Sequence, residues 1–109
     1  MSKLLSGTVT LLFPDIEGST RLLQQLGPAY PDALDAHRRI LLGAIERRGG
    51  RVVDTQGDGT FAVFSRAADA VAAAHDAQHA LAEYSWPERA AVRVRMGLHT
   101  GRPMVASED

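Results

Sequence analysis

The stretch "FPDIEGST", residues 13–20, places two acidic residues, a glycine and two hydroxyl residues directly after an apolar run. Residues 8–13 are rich in β-branched and apolar side chains without strict alternation, which predicts a strand buried on both faces. Gly18 then permits a tight turn, and residues 21–26 form a short predicted helix that Ser19 or Thr20 caps. The stretch therefore predicts a strand, a turn and a helix start, with carboxylates at the turn.

The rest of the chain continues this alternation of strands and helices. Leu34, Leu41 and Ile45 recur at helical spacing, and "QGDG" at residues 56–59 indicates a hairpin turn between two antiparallel strands. The predicted order is strand, helix, helix, strand, strand, helix, strand, over residues 8–13, 21–26, 31–48, 51–55, 60–64, 66–84 and 91–98. This order predicts an α+β sandwich, a mainly antiparallel sheet with helices on one face, related to the split βαβ arrangement of ferredoxin-like folds.

Composition narrows the function classes. The 109 residues carry a formal net charge of −1, with 45% apolar and 23% charged residues, as expected for one small globular domain. Twelve basic residues balance thirteen acidic ones without long blocks of either sign, which argues against a nucleic-acid partner. Cysteine is absent, so disulfides and thiolate metal sites are excluded. No apolar run approaches the roughly 20 residues of a membrane span, and we expect a cytoplasmic protein without one.

Two carboxylates are placed to meet. Asp15 follows the first predicted strand, and Asp58 lies at the tip of the predicted hairpin. If the hairpin pairs beside the first strand, both emerge at the same end of the sheet, where two close anions repel unless a cation lies between them. Hard oxygen ligands select Mg²⁺ or Mn²⁺, which bind through one or two carboxylates plus substrate phosphates. The alternative interpretation is that both are turn and capping residues.

The residues that follow Asp15 suit a phosphate group. The sequence "EGST" at residues 17–20 offers a small residue for close approach and free backbone N–H groups at a helix N-terminus. A metal-bound phosphate ester is therefore the ligand that these residues together indicate.

Three motifs occur in a linked order, "GTVTLLFPDIEGSTRLL", "GGRVVDTQGDGTFAVFSRAADAVAAA" and "VRVRMGLHTG", at residues 7–23, 49–74 and 92–101. Together they resemble the catalytic domain of class III adenylate and guanylate cyclases. The resemblance implies that Asp15 and Asp58 bind two Mg²⁺ or Mn²⁺ ions and that Ile16 lends a backbone carbonyl to one of them. It also implies that Glu17, Gly18, Ser19 and Thr20 hold the triphosphate.

The resemblance further implies an activity and an assembly. A purine nucleoside triphosphate, ATP or GTP, would yield a 3′,5′-cyclic nucleotide and pyrophosphate, with adenylate cyclase as the default assignment. The family's sites form between two subunits, so a homodimer is implied. Residues 1–109 correspond to the N-terminal part of such a domain, a C-terminally incomplete fold, because the family's later asparagine and arginine are not found in this sequence. We therefore expect this fragment to be inactive or weak.

Two other functions stay open. One is a non-catalytic cyclase-like module that binds nucleotide or a partner, and the other is a purely structural ferredoxin-like adaptor. The adaptor would explain the fold but not the paired aspartates.

Asp54 is the candidate for base recognition. It lies four residues before Asp58, where adenylate cyclases of the family usually carry a lysine and guanylate cyclases a glutamate. A carboxylate can accept hydrogen bonds from guanine N1–H and N2–H₂, so Asp54 favours guanine. The alternative is a strand-edge aspartate without a base contact.

Arg93 and Arg95 alternate on the last predicted strand. They are interpreted as part of a solvated face, and a phosphate contact is the alternative.

Overall fold

The computed structural model describes residues 7–55 and 59–102. The described strands are β1 (Val9–Ile16), β2 (Arg51–Thr55), β3 (Gly59–Phe64) and β4 (Val94–Gly101). The described α-helices are α1 (Ser19–Leu26), α2 (Tyr30–Arg47) and α3 (Ala67–Glu83). A short 3₁₀ turn at Gly27–Ala29 lies between α1 and α2, and another at Pro87–Arg89 lies between α3 and β4.

The four strands form one antiparallel sheet in the order β2-β3-β1-β4. Leu12 in β1 lies opposite Ala62 of β3 and Leu98 of β4. The predicted hairpin thus pairs beside the first strand, as the argument for a shared site requires. The α+β prediction is confirmed.

The main core lies between the sheet and the helices α2 and α3. Leu12 and Phe64 are each only 1% exposed and pack with small or branched residues of both helices, among them Ala44, Ile45, Ala73 and Ala77. The alanines allow α3 to approach the sheet closely. Successive strand residues point to opposite faces, so Phe13, next to Leu12, is 44% exposed and its ring lies 5.6 Å from that of Phe61. Asp15, two residues after Phe13, lies on the same face as Phe13, which is the face of the sheet away from the helices.

A second core cluster supports α1. Its buried members are Leu22, Leu26, Ala33, Ala90 and Val92, and the half-buried Ile16 and Trp86 contact both clusters. Residues 90–92 therefore pack beneath α1 instead of extending the sheet. The prediction that the last strand begins at residue 91 is wrong for this reason, since β4 begins at Val94.

The first strand is longer than predicted. It runs to Ile16, so that Asp15 lies within the strand and not after it. Pro14, which donates no ladder hydrogen bond, also lies inside the strand, opposite Met96 of β4. Pairing with β3 covers Thr10 to Leu12, whereas pairing with β4 continues to Ile16. The proline is tolerated where the strand is paired on one side.

The prediction that Ser19 or Thr20 caps the first helix is also wrong. Both residues lie inside α1, and its N-cap is Gly18, with φ 64° and ψ 42° and no side-chain cap hydrogen bond. This left-handed conformation suits glycine, because a β-carbon disfavours it.

Among the helices in the described ranges, none has both the length and the apolar composition of a membrane span.

Gly50 allows the close approach of the α2–β2 connection to the core. A β-carbon there would lie 2.5 Å and 2.6 Å from two ring carbons of Phe64, and 2.9 Å from Cγ2 of Ile45. We expect Gly50→Ala to lower the free energy of unfolding by about 1–3 kcal/mol, because buried Phe64 and Ile45 must shift to make room. Urea denaturation followed by circular dichroism measures this.

Gly43→Ala is the matched control. Gly43 lies inside α2, and an added β-carbon would meet only the side-chain end of Arg47, at 3.2 Å. Since alanine is the better helix former, we expect the free energy of unfolding to rise by up to about 1 kcal/mol. Equal destabilisation by both substitutions would contradict the packing argument.

Candidate active site

Asp15 lies near the end of β1, with its side chain on the face of the sheet that the helices leave open. The carboxylate is 67% exposed and has one cross-strand neighbour, Arg95 of β4, directly opposite in register. Arg95 donates a hydrogen bond from Nη2 to Asp15 Oδ2 at 2.7 Å. Its side chain is also 67% exposed, so the pair is surrounded by solvent.

The turn after Asp15 leads directly into a helix N-terminus. The backbone N–H of Glu17 donates to the carbonyl of Arg93 at 2.8 Å, and the N–H of Leu22 donates to the carbonyl of Gly18 at 3.0 Å. The N–H groups of residues 19–21, in the first turn, precede this first intrahelical bond, and no described side chain caps them. Residues 17–20 are all exposed. The turn thus presents free donors beside an exposed carboxylate.

A cleft of about 670 Å³ opens next to these residues, between α2 and the ends of β1 and β3. Asp15 lines it from β1, Ser19 from the start of α1, Arg38 from α2, and Phe61 from β3. Apolar residues of α2, including Leu41 and Ile45, line it as well. The cleft therefore combines an apolar wall with a charged edge at the end of β1.

His37 of α2 also lines this cleft and is buried, with 8% of its surface exposed. Neither ring nitrogen makes a hydrogen bond of good geometry to a described residue. Burial lowers the pKa of His37, an effect that the backbone carbonyl of Leu34 opposes and the charge of Arg38 reinforces. The imidazole is therefore neutral near pH 7. The sequence held a signal for this position, since residue 37 falls on the same helical stripe as residues 34 and 41.

The remaining predicted residues are placed as follows. Ile16 ends β1, and its side chain packs on both core clusters. Asp54 lies in β2 at the register position opposite Thr60. Asp58 lies outside the described residues. The structure therefore brings Asp15, Ile16 and residues 17–20 together, and the approach of Asp58 to Asp15 stays a prediction.

The described residues fit a hard divalent cation in part. They include no group of three or more histidine, aspartate or glutamate side chains arranged to hold a metal ion. Mg²⁺ and Mn²⁺ need no such group, since they keep several waters and take one or two carboxylates together with phosphate oxygens. Among the described residues, Asp15 offers one such carboxylate, and the free N–H groups at the start of α1 suit phosphate oxygens.

Comparison with known proteins identifies the family of this chain. The family model described as the adenylate and guanylate cyclase catalytic domain matches residues 2–107. An uncharacterized protein of Mycobacterium tuberculosis is 37% identical over 105 residues, covering 94% of this chain and 34% of that protein. A receptor-type adenylate cyclase of Leishmania donovani is 37% identical over 78 residues, covering 72% of this chain and 6% of that protein.

Solved structures agree with the sequence comparison. An adenylate cyclase structure from Trypanosoma brucei, solved in the monomeric state, superposes with a TM-score of 0.82 at 26% identity, over 94% of this chain and 60% of the other. An adenylate/guanylate cyclase/hydrolase structure from Silicibacter pomeroyi gives a TM-score of 0.72 at 28% identity, over 87% and 57%.

The chain spans about a third of the length of the mycobacterial relative and 60% of the solved trypanosomal chain, so it matches part of each. The family match covers nearly all of the chain and includes the strand, turn and helix around Asp15. The chain belongs to the adenylate and guanylate cyclase catalytic domain family.

Proposed function

We propose that this chain is the N-terminal part of a nucleotidyl cyclase domain that converts a purine nucleoside triphosphate into a 3′,5′-cyclic nucleotide and pyrophosphate. The observation that carries the proposal is the exposed carboxylate of Asp15 near the end of β1, followed by a turn and a helix whose first N–H groups have no partner within the helix. ATP is the default substrate, and GTP is the alternative that Asp54 favours.

The reaction is an intramolecular displacement at phosphorus. The ribose 3′-oxygen forms a bond to the α-phosphorus, the bond from that phosphorus to the oxygen bridging to the β-phosphate breaks, and pyrophosphate leaves. The proton of the 3′-hydroxyl passes to solvent or to a base. Two Mg²⁺ or Mn²⁺ ions, held by Asp15, Asp58 and the Ile16 carbonyl, would supply activation of the 3′-oxygen and neutralisation of the leaving group.

The chain's own contribution at the described residues is orientation and charge. Free N–H groups at the start of α1 point their partial positive charge toward an anion, which suits the β- and γ-phosphates of the substrate. Gly18 has no β-carbon, so the phosphates can approach the backbone of the turn closely. Leu22 N–H, bonded to the Gly18 carbonyl at 3.0 Å, holds the turn in the conformation that exposes these donors.

A homodimer belongs to the proposal. In the class III arrangement, metal residues come from one subunit and base-reading residues from the other, so Asp54 would serve the partner's site. Sedimentation equilibrium in the presence and absence of metal and nucleotide measures this assembly.

The function is tested by mass-spectrometric detection of cyclic AMP and cyclic GMP after incubation with Mn²⁺ and either ATP or GTP. We expect little product from this chain alone, and product that disappears in both Asp15→Asn and Asp58→Asn. Metal-dependent nucleotide binding without product would leave either an incomplete cyclase site or the non-catalytic module. A chain that binds neither Mn²⁺ nor nucleotide would contradict the proposal.

Binding gives a second measure of the role of Asp15. We expect Asp15→Asn to weaken Mn²⁺-dependent ATP binding about tenfold or more, because an amide replaces a charged ligand. Isothermal titration calorimetry measures the affinity. Asp32→Asn removes the same charge from an exposed position in the first turn of α2 and should leave the affinity unchanged. Equal losses in both variants would show a general charge effect.

Gly18→Ala tests the turn. The left-handed conformation costs a β-carbon-bearing residue about 1–2 kcal/mol, although no atom lies within 4 Å of the added β-carbon. We expect the turn to shift, and nucleotide affinity to fall by more than the loss in unfolding free energy explains. Gly49→Ala is the control, since Gly49 also has a positive φ, 78°, and open space around it but follows α2. It should lose similar stability and keep its nucleotide affinity.

A further inference from the structure

The pair of Asp15 and Arg95 is built into the sheet. The two residues are direct partners in the β1–β4 register, so their side chains leave the same face from neighbouring strands. The contact, 2.7 Å between Arg95 Nη2 and Asp15 Oδ2, joins residues 80 positions apart in the chain. Its geometry is therefore fixed by strand pairing, and only the two side-chain rotamers remain to be ordered.

This contact conflicts with the metal role proposed for Asp15. The guanidinium of Arg95 is charged at every accessible pH and donates to the carboxylate that the cation would bind. A divalent ion must either displace Arg95 from Oδ2 or bind the other carboxylate oxygen close to a like charge. In both cases the free ion binds less tightly than it would to Asp15 alone.

We propose that Arg95 is a built-in counter-ion of Asp15 that lowers the affinity of the site for free divalent metal and favours metal that arrives with a polyphosphate. The inference rests on the proposed function, because it requires Asp15 to be a metal ligand. A polyphosphate supplies negative charge that offsets Arg95 when the metal takes its place on the carboxylate. Metal and anion thereby strengthen each other's binding, as reciprocal linkage requires.

The size of the effect follows from the exposure of the pair. Both side chains are 67% exposed, and exposed ion pairs contribute little because water and salt screen them. The penalty on free metal should therefore be about two- to fivefold in affinity at low ionic strength. It should shrink as potassium chloride is added.

The test uses Mn²⁺ electron paramagnetic resonance, which counts free ion, on the purified chain without nucleotide. We expect Arg95→Gln to bind Mn²⁺ about two- to fivefold more tightly than the unsubstituted chain. Arg93→Gln removes the same charge two residues away, from an exposed residue without an ion pair to a described residue, and should change the affinity less than Arg95→Gln. Arg95→Lys keeps the charge and should stay near the unsubstituted value.

A second titration, with Mn²⁺ and ATP together, measures the coupling. Arg95→Gln should reduce the factor by which ATP strengthens Mn²⁺ binding. Circular dichroism establishes that each variant is folded, and Arg95→Met, which also removes the charge, serves in place of Arg95→Gln if the latter is not, with the same gain expected.

The outcomes separate this inference from the proposed function. If Asp15→Asn weakens Mn²⁺ binding but Arg95→Gln does not strengthen it, the counter-ion inference is overturned and the proposed function stands. If Arg93→Gln strengthens binding as much as Arg95→Gln, the effect is one of overall charge and the inference is again overturned. If Asp15→Asn leaves Mn²⁺ binding unchanged, Asp15 is not a metal ligand, and both proposals fail together.

Discussion

β1 pairs with β3 and with β4, and the positions of Asp15, Ile16 and Arg95 in the candidate site follow from that pairing. Because strand residues alternate between faces, burying Leu12 against the helices commits Asp15 to the open face. A register shift of one residue would bury the carboxylate and expose Leu12. The hydrophobic core and the candidate site are thus two consequences of one register.

The same register brings opposite charges together. Arg95 is placed on Asp15 by the β1–β4 pairing, while the turn after β1 presents the free N–H groups of α1. The described site thus combines two exposed carboxylates, those of Asp15 and Glu17, with the guanidinium of Arg95 and the free backbone N–H donors of α1. Buried His37 adds a neutral ring with unsatisfied nitrogens to the cleft wall, and its environment differs sharply from that of solvent-exposed Asp15.

Much of the fold could be predicted because local patterns encode it. The bounds of β2 were predicted to the residue, and those of α2 and α3 to within one residue at each end, since their apolar periodicity and flanking glycines or prolines are local signals. The start of β4 was predicted wrongly. Residues 91–95, "AVRVR", alternate like a strand, but Ala90 and Val92 are buried in the cluster beneath α1. The prediction that Ser19 or Thr20 caps the first helix was also wrong, because Gly18 is the N-cap residue.

The sequence by itself determined the alternation of strands and helices, the glycine turn after Asp15, and the motifs that resemble cyclase catalytic domains. These features depend on residues close to one another in the sequence or on contiguous sequence motifs. Only the tertiary structure decided that Arg95 lies on Asp15, that His37 is buried without a hydrogen-bond partner among the described residues, and that residues 90–92 leave the sheet. Those contacts join residues far apart in the chain, and their formation depends on strand register and competition for core space, which no local window of sequence contains.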